Sequence, residues 1–290
     1  MSKPYPTGDE IAAMDRKLAA EGVPVTERAN QAMLEWIRTP PYSEQPTPLT
    51  PIGRWFENAW RELHPSVSQQ DRPFMYLAVS ALGVSYRCDP PIVFGSTSID
   101  TMSLVKITKM ESERIFANSP RAWWEMYYQV LDAVDIWLNR IDSGSGGYEG
   151  LSVAFSQLEA SARQLVACSP DASLPQSIAL IAELSIKGAL FAAGYSKREL
   201  QKIGHDLLLS TKALCEISKL GSNSDLIRAS ASIPPYVQSR YAPPPWDMSV
   251  AQRHYRTALY IASEALRRSG GHRMGHAARH RRDIPARPWD

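Results

Sequence analysis

The sequence predicts a mainly α-helical protein, a helical bundle preceded by a tryptophan-rich, mostly helical N-terminal module. Two observations carry this prediction. Apolar residues recur at three- and four-residue spacing through most of residues 120–268. Capping residues and glycine or proline stops bracket those stripes, while strand-like composition is confined to residues 73–107. The boundaries that follow are a module of open topology at 1–119, a bundle at 120–268 and a basic tail at 269–290.

Taken in order, Ile11, Met14 and Leu18 predict a helix over residues 9–21, capped by Asp9 and stopped by Gly22. A second, from about Thr26, carries Met33, Trp36 and Ile37. The five prolines of residues 39–51 suit an extended connector, because each fixes φ and removes a donor. Thr50-Pro51 then opens a helix with Trp55, Phe56, Ala59, Trp60 and Leu63, ended by His64-Pro65. FMYLAVSALGVSY reads either as a buried helix or as a strand pair turning near Gly83; with the strand-like IVFGSTSIDTMSLVKI it favours a small sheet.

From Pro120 the stripe Trp123, Tyr127, Val130, Val134 and Trp137 marks a long amphipathic helix, followed by a flexible connector at 142–150. Leu151, Phe155, Leu158, Ala162 and Leu165 stripe the next. The helix over 175–193 is apolar nearly all round, which suits a central place in a bundle; Glu183 and Lys187 inside it argue against a membrane span. Two more run over about 206–217 and 248–267, the last with Tyr255, Ala258, Ala262 and Ala265 on one face. Between them SIPPYVQSRYAPPPWD is too proline-rich for regular structure. The tryptophans at 36, 55, 60, 123, 124 and 137 fall at helical spacing and read as core rather than as base-stacking platforms.

A hydrophobic share of 44% against 21% charged residues suits a globular chain, and the first twenty residues lack a signal-peptide core, so cytoplasmic residence is expected. Cys88, Cys168 and Cys215 are dispersed and odd in number, which supplies neither a disulfide framework nor a zinc half-site. The net charge of +2 conceals an asymmetry: residues 267–290 hold seven Arg against two Asp. Such a tail suits RNA, DNA or an acidic partner by charge alone, but a disordered solvated end is the expectation.

None of the GxSxG, HExxH, Walker-type or GxGxxG motifs occurs. Val93-Phe94-Gly95-Ser96-Thr97-Ser98 looks like the glycine-serine turn of nucleotidyltransferases, yet only Asp100 follows where two carboxylates would have to hold magnesium. His272, His276 and His280 have chelating helical spacing, but Gly270, Gly271 and Gly275 oppose a helix there, so no metal and no cofactor is expected.

The informative stretch begins with Glu183 and Lys187, spaced i, i+4 in the order that pairs along a helix. Gly204-His205-Asp206-Leu207 then opens the next helix, with Asp206 suited to its cap and His205 at its mouth. An apolar helix, an ELxxK helix, a GHDL helix start, a loop with Arg240-Tyr241 and a final helix, in that order, resemble the HEPN family over about residues 148–268. The resemblance implies a four- or five-helix bundle that homodimerises, and an RNA-directed activity such as a metal-independent endoribonuclease or a toxin-like component of prokaryotic antiviral defence. Catalytic members have an Arg and a His with four to six residues between them, and six residues lie between Arg198 and His205.

On that resemblance His205 is the acid or base for attack by a 2′-hydroxyl on the adjacent phosphate, and Arg198 or Arg240 stabilises the developing charge. Lys187, Glu183, Asp206 and Tyr241 would be the binding groups. The residues alone leave another reading open, in which His205 and Asp206 cap a helix and Arg240 pins the proline-rich loop through Glu183 or Asp206. The chain is then a non-catalytic module for a nucleotide, nucleic acid or protein partner.

Overall fold

The structure is a computed structural model. It describes residues 6–23, 25–38, 55–56, 58–60, 62–64, 75–90, 100–142, 148–218, 220, 222–241, 244, 246–270, 273–281 and 284–288. The proline-rich connector at 39–51, the glycine-serine turn at 93–98 and His272 lie outside the described residues. The chain divides into two units, Met1–Phe74 with Ile92–Ile99, and Met75–Pro91 with Asp100–Asp290.

In the first unit, Thr7 and Glu10 form a reciprocal capping box at the start of α1 (Gly8–Ala20), one position pair earlier than the Asp9 cap read from sequence. It is followed by α2 (Val25–Arg38) and by helical residues at 55–56, 58–60 and 62–63. Ile11, Leu18, Ala32, Met33, Phe56 and Trp60 form the core, with Trp36 and Trp55 packed against it. Trp60 is core as its spacing predicts.

The second unit opens with the antiparallel pair β1 (Leu77–Ala81) and β2 (Val84–Cys88), in the register Leu77 to Cys88 through Ala81 to Val84. Leu82 and Gly83 between them both have positive φ, 51° and 80°, the twist that a two-residue hairpin turn needs. A lone hairpin is marginal in water. Here helix side chains complete it: Gln129 accepts from the Ser80 amide at 2.8 Å and donates to the Ser80 carbonyl at 2.9 Å, and Gln252 donates to the Gly83 carbonyl at 3.0 Å. Residues 75–90 and 100–119 therefore fold with the bundle, where the sequence reading put a boundary at 119. Residues 101–104 form a 3-10 turn instead of a strand.

The helices are α3 (Lys109–Asn118), α4 (Pro120–Asp142), α5 (Glu149–Val166), α6 (Leu174–Ala192), α7 (Lys197–Ile203), α8 (Leu207–Ile217), α9 (Asn223–Ser232), α10 (Tyr236–Tyr241), α11 (Met248–Ser269) and α12 (Met274–Arg279). By length and composition α6 is long and apolar enough to cross a membrane, yet 72% of that window is buried within the protein. Its buried residues run all round the helix, which puts α6 at the centre with α11. In the segment expected to be irregular, α10 forms within the proline-rich run, and α9 forms before it, capped by Ser222, which accepts from the Asp225 amide.

The basic end departs furthest from expectation. Instead of a disordered tail, it forms α12 and lays Ala278, Met274 and Ile284 against Tyr128 and Leu131 of α4. The cause is a buried charge cluster. Asp132 and Asp135 of α4 and Glu264 of α11 are all 0% exposed. Arg267 donates to Asp132 at 2.7 Å and also to Asp135, Arg268 donates to Glu264 at 3.2 Å, and Arg287 lies 2.7 Å from Asp132. Three guanidiniums thus answer three carboxylates. The amides of Met274 and Gly275 add two bonds of 2.8 Å to Asp135, and His276 Nε2 sits 2.9 Å from Glu264. A side chain at 275 has no room, since a Cβ there would lie 2.2 Å from Arg267 Nη2.

Candidate functional site

The site forms where α6 meets the junction of α7 and α8. Glu183 and Lys187 lie one turn apart on α6, and both are buried, so the charged pair must satisfy itself. Lys187 Nζ donates to Glu183 Oε1 at 2.7 Å. A capping box of Ser196 and Glu199 starts α7, and Gly204, at φ 66°, ends it. Asp206 then caps α8 by accepting from the Leu209 amide at 2.8 Å. Between the two, His205 turns its Nδ1 to 3.0 and 3.1 Å from the Glu183 oxygens.

A carboxylate only accepts, so this contact makes Nδ1 the proton-bearing nitrogen and leaves Nε2 of the neutral ring as the lone-pair nitrogen. The His205 side chain is 54% exposed while that of Glu183 is 3% exposed. A fixed, buried carboxylate thereby holds an accessible imidazole. The Tyr236 ring, centroid 5.1 Å away, braces the other side. A cavity of about 210 Å3 adjoins Lys187, lined also by Tyr148, Lys197, Leu200 and Gln201. Burial, and then the charge of Glu183, push the Tyr148 phenol above its ordinary value.

The structure brings together Glu183, Lys187 and His205. Asp206 serves as a cap. Arg198 is exposed on the first turn of α7, and Arg240 on α10 lies 5.5 Å from the centre of the exposed Tyr241 ring. Among the described residues, neither arginine has a hydrogen bond or ion pair with Glu183, His205 or Asp206, so Arg240 does not pin its loop in the way the residues suggested.

No known family, curated protein or solved structure matches this chain. Among the described residues, no group of three or more His, Cys, Asp or Glu side chains is placed to hold a metal ion, and His276 is engaged by Glu264. Sequence reasoning missed Tyr148, Lys197 and Tyr236. Tyr236 follows two prolines in a segment that lacks periodicity, and Tyr148 ends a glycine-rich connector, so neither carried a signal.

Proposed function

We propose that this chain is an RNA-directed, HEPN-like protein in which His205 is the general acid or base of a metal-independent endoribonuclease. The observation that supports it most is the accessible His205 ring whose Nδ1 is anchored on buried Glu183. In such a reaction Nε2 takes the proton of a 2′-hydroxyl as its oxygen attacks the adjacent phosphorus. The bond to the 5′-oxygen breaks, that oxygen takes a proton, and the products are a 2′,3′-cyclic phosphate and a 5′-hydroxyl. Glu183 acts as a positioning residue that stabilises the imidazolium, as carboxylates beside catalytic histidines do. Arg198 and Arg240 would supply charge stabilisation from the surface, and a homodimer would face two such sets across one cleft.

This reading extends to a toxin-like component of a prokaryotic defence system, acting in the cytoplasm on cellular or phage RNA. The separation of Arg198 and Arg240 from the His205 contacts favours the second reading, a non-catalytic module that grips a nucleotide, nucleic acid or protein partner. RNA cleavage in EDTA by wild type and His205→Ala, both checked by circular dichroism, decides between them. Cleavage lost in a folded His205→Ala, with the rate of Glu183→Gln reduced and its pH profile displaced, is the expected result. A wild type inert on several RNAs overturns the nuclease.

A further inference from the structure

The lining of the cavity beside the candidate site includes Tyr148, Glu149 and Gly150 at the start of α5, Lys187 from α6 and Lys197 from α7. Lys187 is its buried cation. That side chain is 9% exposed, and its ammonium gives one of three N–H bonds to Glu183 at 2.7 Å. Among the described residues the other two N–H bonds meet no protein acceptor. A buried ammonium keeps unanswered donors where water or a ligand reaches them, and the space that Lys187 lines is this cavity. Tyr148 points to the same side of the ion pair: it also lines the cavity, and Glu183 is near enough to act on its phenol through charge.

The start of α5 adds donors of a second kind. Tyr148 at its N-cap makes no side-chain cap, so the first amides of this 18-residue helix lack the acceptor that Thr7, Ser196 and Asp206 provide at other helix starts. The helix dipole favours negative charge at that end. Lys197 adds an exposed ammonium, 3.6 Å from the exposed carboxylate of Glu149. Such a pair is worth about 0–1 kcal/mol and yields to a stronger anion. Two ammoniums and a row of uncapped amides thus stand against one carboxylate on the lining, Glu149. Glu183 offsets the charge of Lys187 without using its remaining donors.

We propose that this cavity is a phosphate subsite, which holds a phosphodiester group of an RNA strand beside the one on which His205 acts. Lysine ammoniums and helix N-termini both bind phosphate oxygens. At about 210 Å3 the cavity is smaller than sites that enclose a whole small ligand, about 300–1,000 Å3, so it takes the oxyanion group and leaves base and sugar outside. Lys187 and His205 both contact Glu183 Oε1, at 2.7 and 3.0 Å, which sets them within two hydrogen bonds of each other. A strand with one phosphate at Lys187 therefore passes the accessible imidazole. The RNA placement rests on the nuclease reading of His205; the phosphate site does not. A free phosphomonoester offers the same oxygens, and the test separates the two.

Fluorescence anisotropy of the full chain with a labelled 2′-O-methyl oligoribonucleotide tests the assignment, since that strand has internal phosphates and no hydroxyl to attack. Saturable binding is expected, weakened about threefold or more by Lys197→Ala and by Lys187→Met, and unchanged by Lys109→Ala, a lysine outside the lining. Each lysine–phosphate contact removed lowers the slope of log affinity against log salt by about 0.7. Inorganic phosphate displaces the strand more strongly than chloride at equal ionic strength. Lys197 is exposed, so Lys197→Ala keeps the fold and decides alone if circular dichroism shows Lys187→Met unfolded. An affinity and slope that Lys197→Ala leaves unchanged overturn the subsite, as do phosphate that competes no better than chloride and a strand that never saturates. Adenosine 5′-monophosphate binding more tightly than the strand overturns the RNA placement and assigns the cavity to a terminal phosphate. Lysine-dependent binding by a wild type that cleaves no RNA supports the subsite and removes the nuclease. Cleavage whose KM Lys197→Ala leaves unchanged keeps the nuclease and overturns the subsite.

Discussion

Replacing Arg267 by Met tests the account of the buried charge cluster most directly. Arg267 is 1% exposed and is the group shared by Asp132, Asp135 and Glu264. Methionine keeps much of the volume and removes the charge. Breaking a buried pair by removing one partner costs about 3–5 kcal/mol, because the other charge stays behind unpaired. Here each carboxylate retains a donor: Asp132 keeps Arg287 and Ser263, Asp135 keeps two amides, and Glu264 keeps Arg268 and His276. The low end therefore applies, about 3 kcal/mol. For a unit of this size that lowers Tm by about 6–12 °C, at about 2–4 °C per kcal/mol. Urea denaturation followed by circular dichroism reads the loss. A cost below about 1 kcal/mol, typical of exposed pairs, would refute the claim that these charges depend on Arg267.

Three further outcomes are expected. Gly275→Ala forces a methyl group to within 2.2 Å of Arg267 and costs about 1–3 kcal/mol; in an Arg267→Met background the same change costs less, which a double-mutant cycle in urea measures. Burial alone would raise the carboxyls of Asp132 and Glu264, but Arg287 and Arg267 on the first, and His276 and the two arginines on the second, outweigh it and hold both below their ordinary values of 3.8 and 4.5. Their contribution is therefore full above those values and is lost as pH falls through the lower folded ones, so stability declines in acid, and Arg267→Met flattens that limb of a pH titration of Tm. Leu82, at φ 51° and 60% exposed, gains nothing apolar from its place; Leu82→Asn makes an Asn-Gly turn and raises stability by about 0.5–1 kcal/mol, read as a higher Tm.

The long helices were legible because their apolar stripes are local: the Trp123 to Trp137 spacing lies within α4, and the all-round apolar α6 is central. The strand pair could be read from its turn. The tail was not legible, since seven arginines near one end look solvated unless their partners are known. Asp132 and Asp135 lie one turn apart, as do Glu264, Arg267 and Arg268, and each set by itself resembles a wet helix face. Only folding shows that the two faces meet. At the candidate site the same limit applies. The Glu183–Lys187 pair is written in the i, i+4 spacing, but the contact of Glu183 with His205 spans 22 residues and a helix junction, and no periodicity encodes it. Arg198 shows the converse: its spacing to His205 fits a motif, while its side chain is exposed and makes no described contact with the imidazole.

The dependence of α4 on the tail also constrains the order of events during synthesis. The carboxylate of Asp132 meets Arg267 across 135 residues of chain, and that of Asp135 meets the Gly275 amide across 140. At about 5–20 residues per second, a ribosome needs about 7–28 s to supply those partners after making α4. Throughout that interval two carboxylates that end up dry have to stay in water, which bars α4 from its final packing. The second unit of a nascent chain should therefore close late, once Arg267 and Gly275 have emerged.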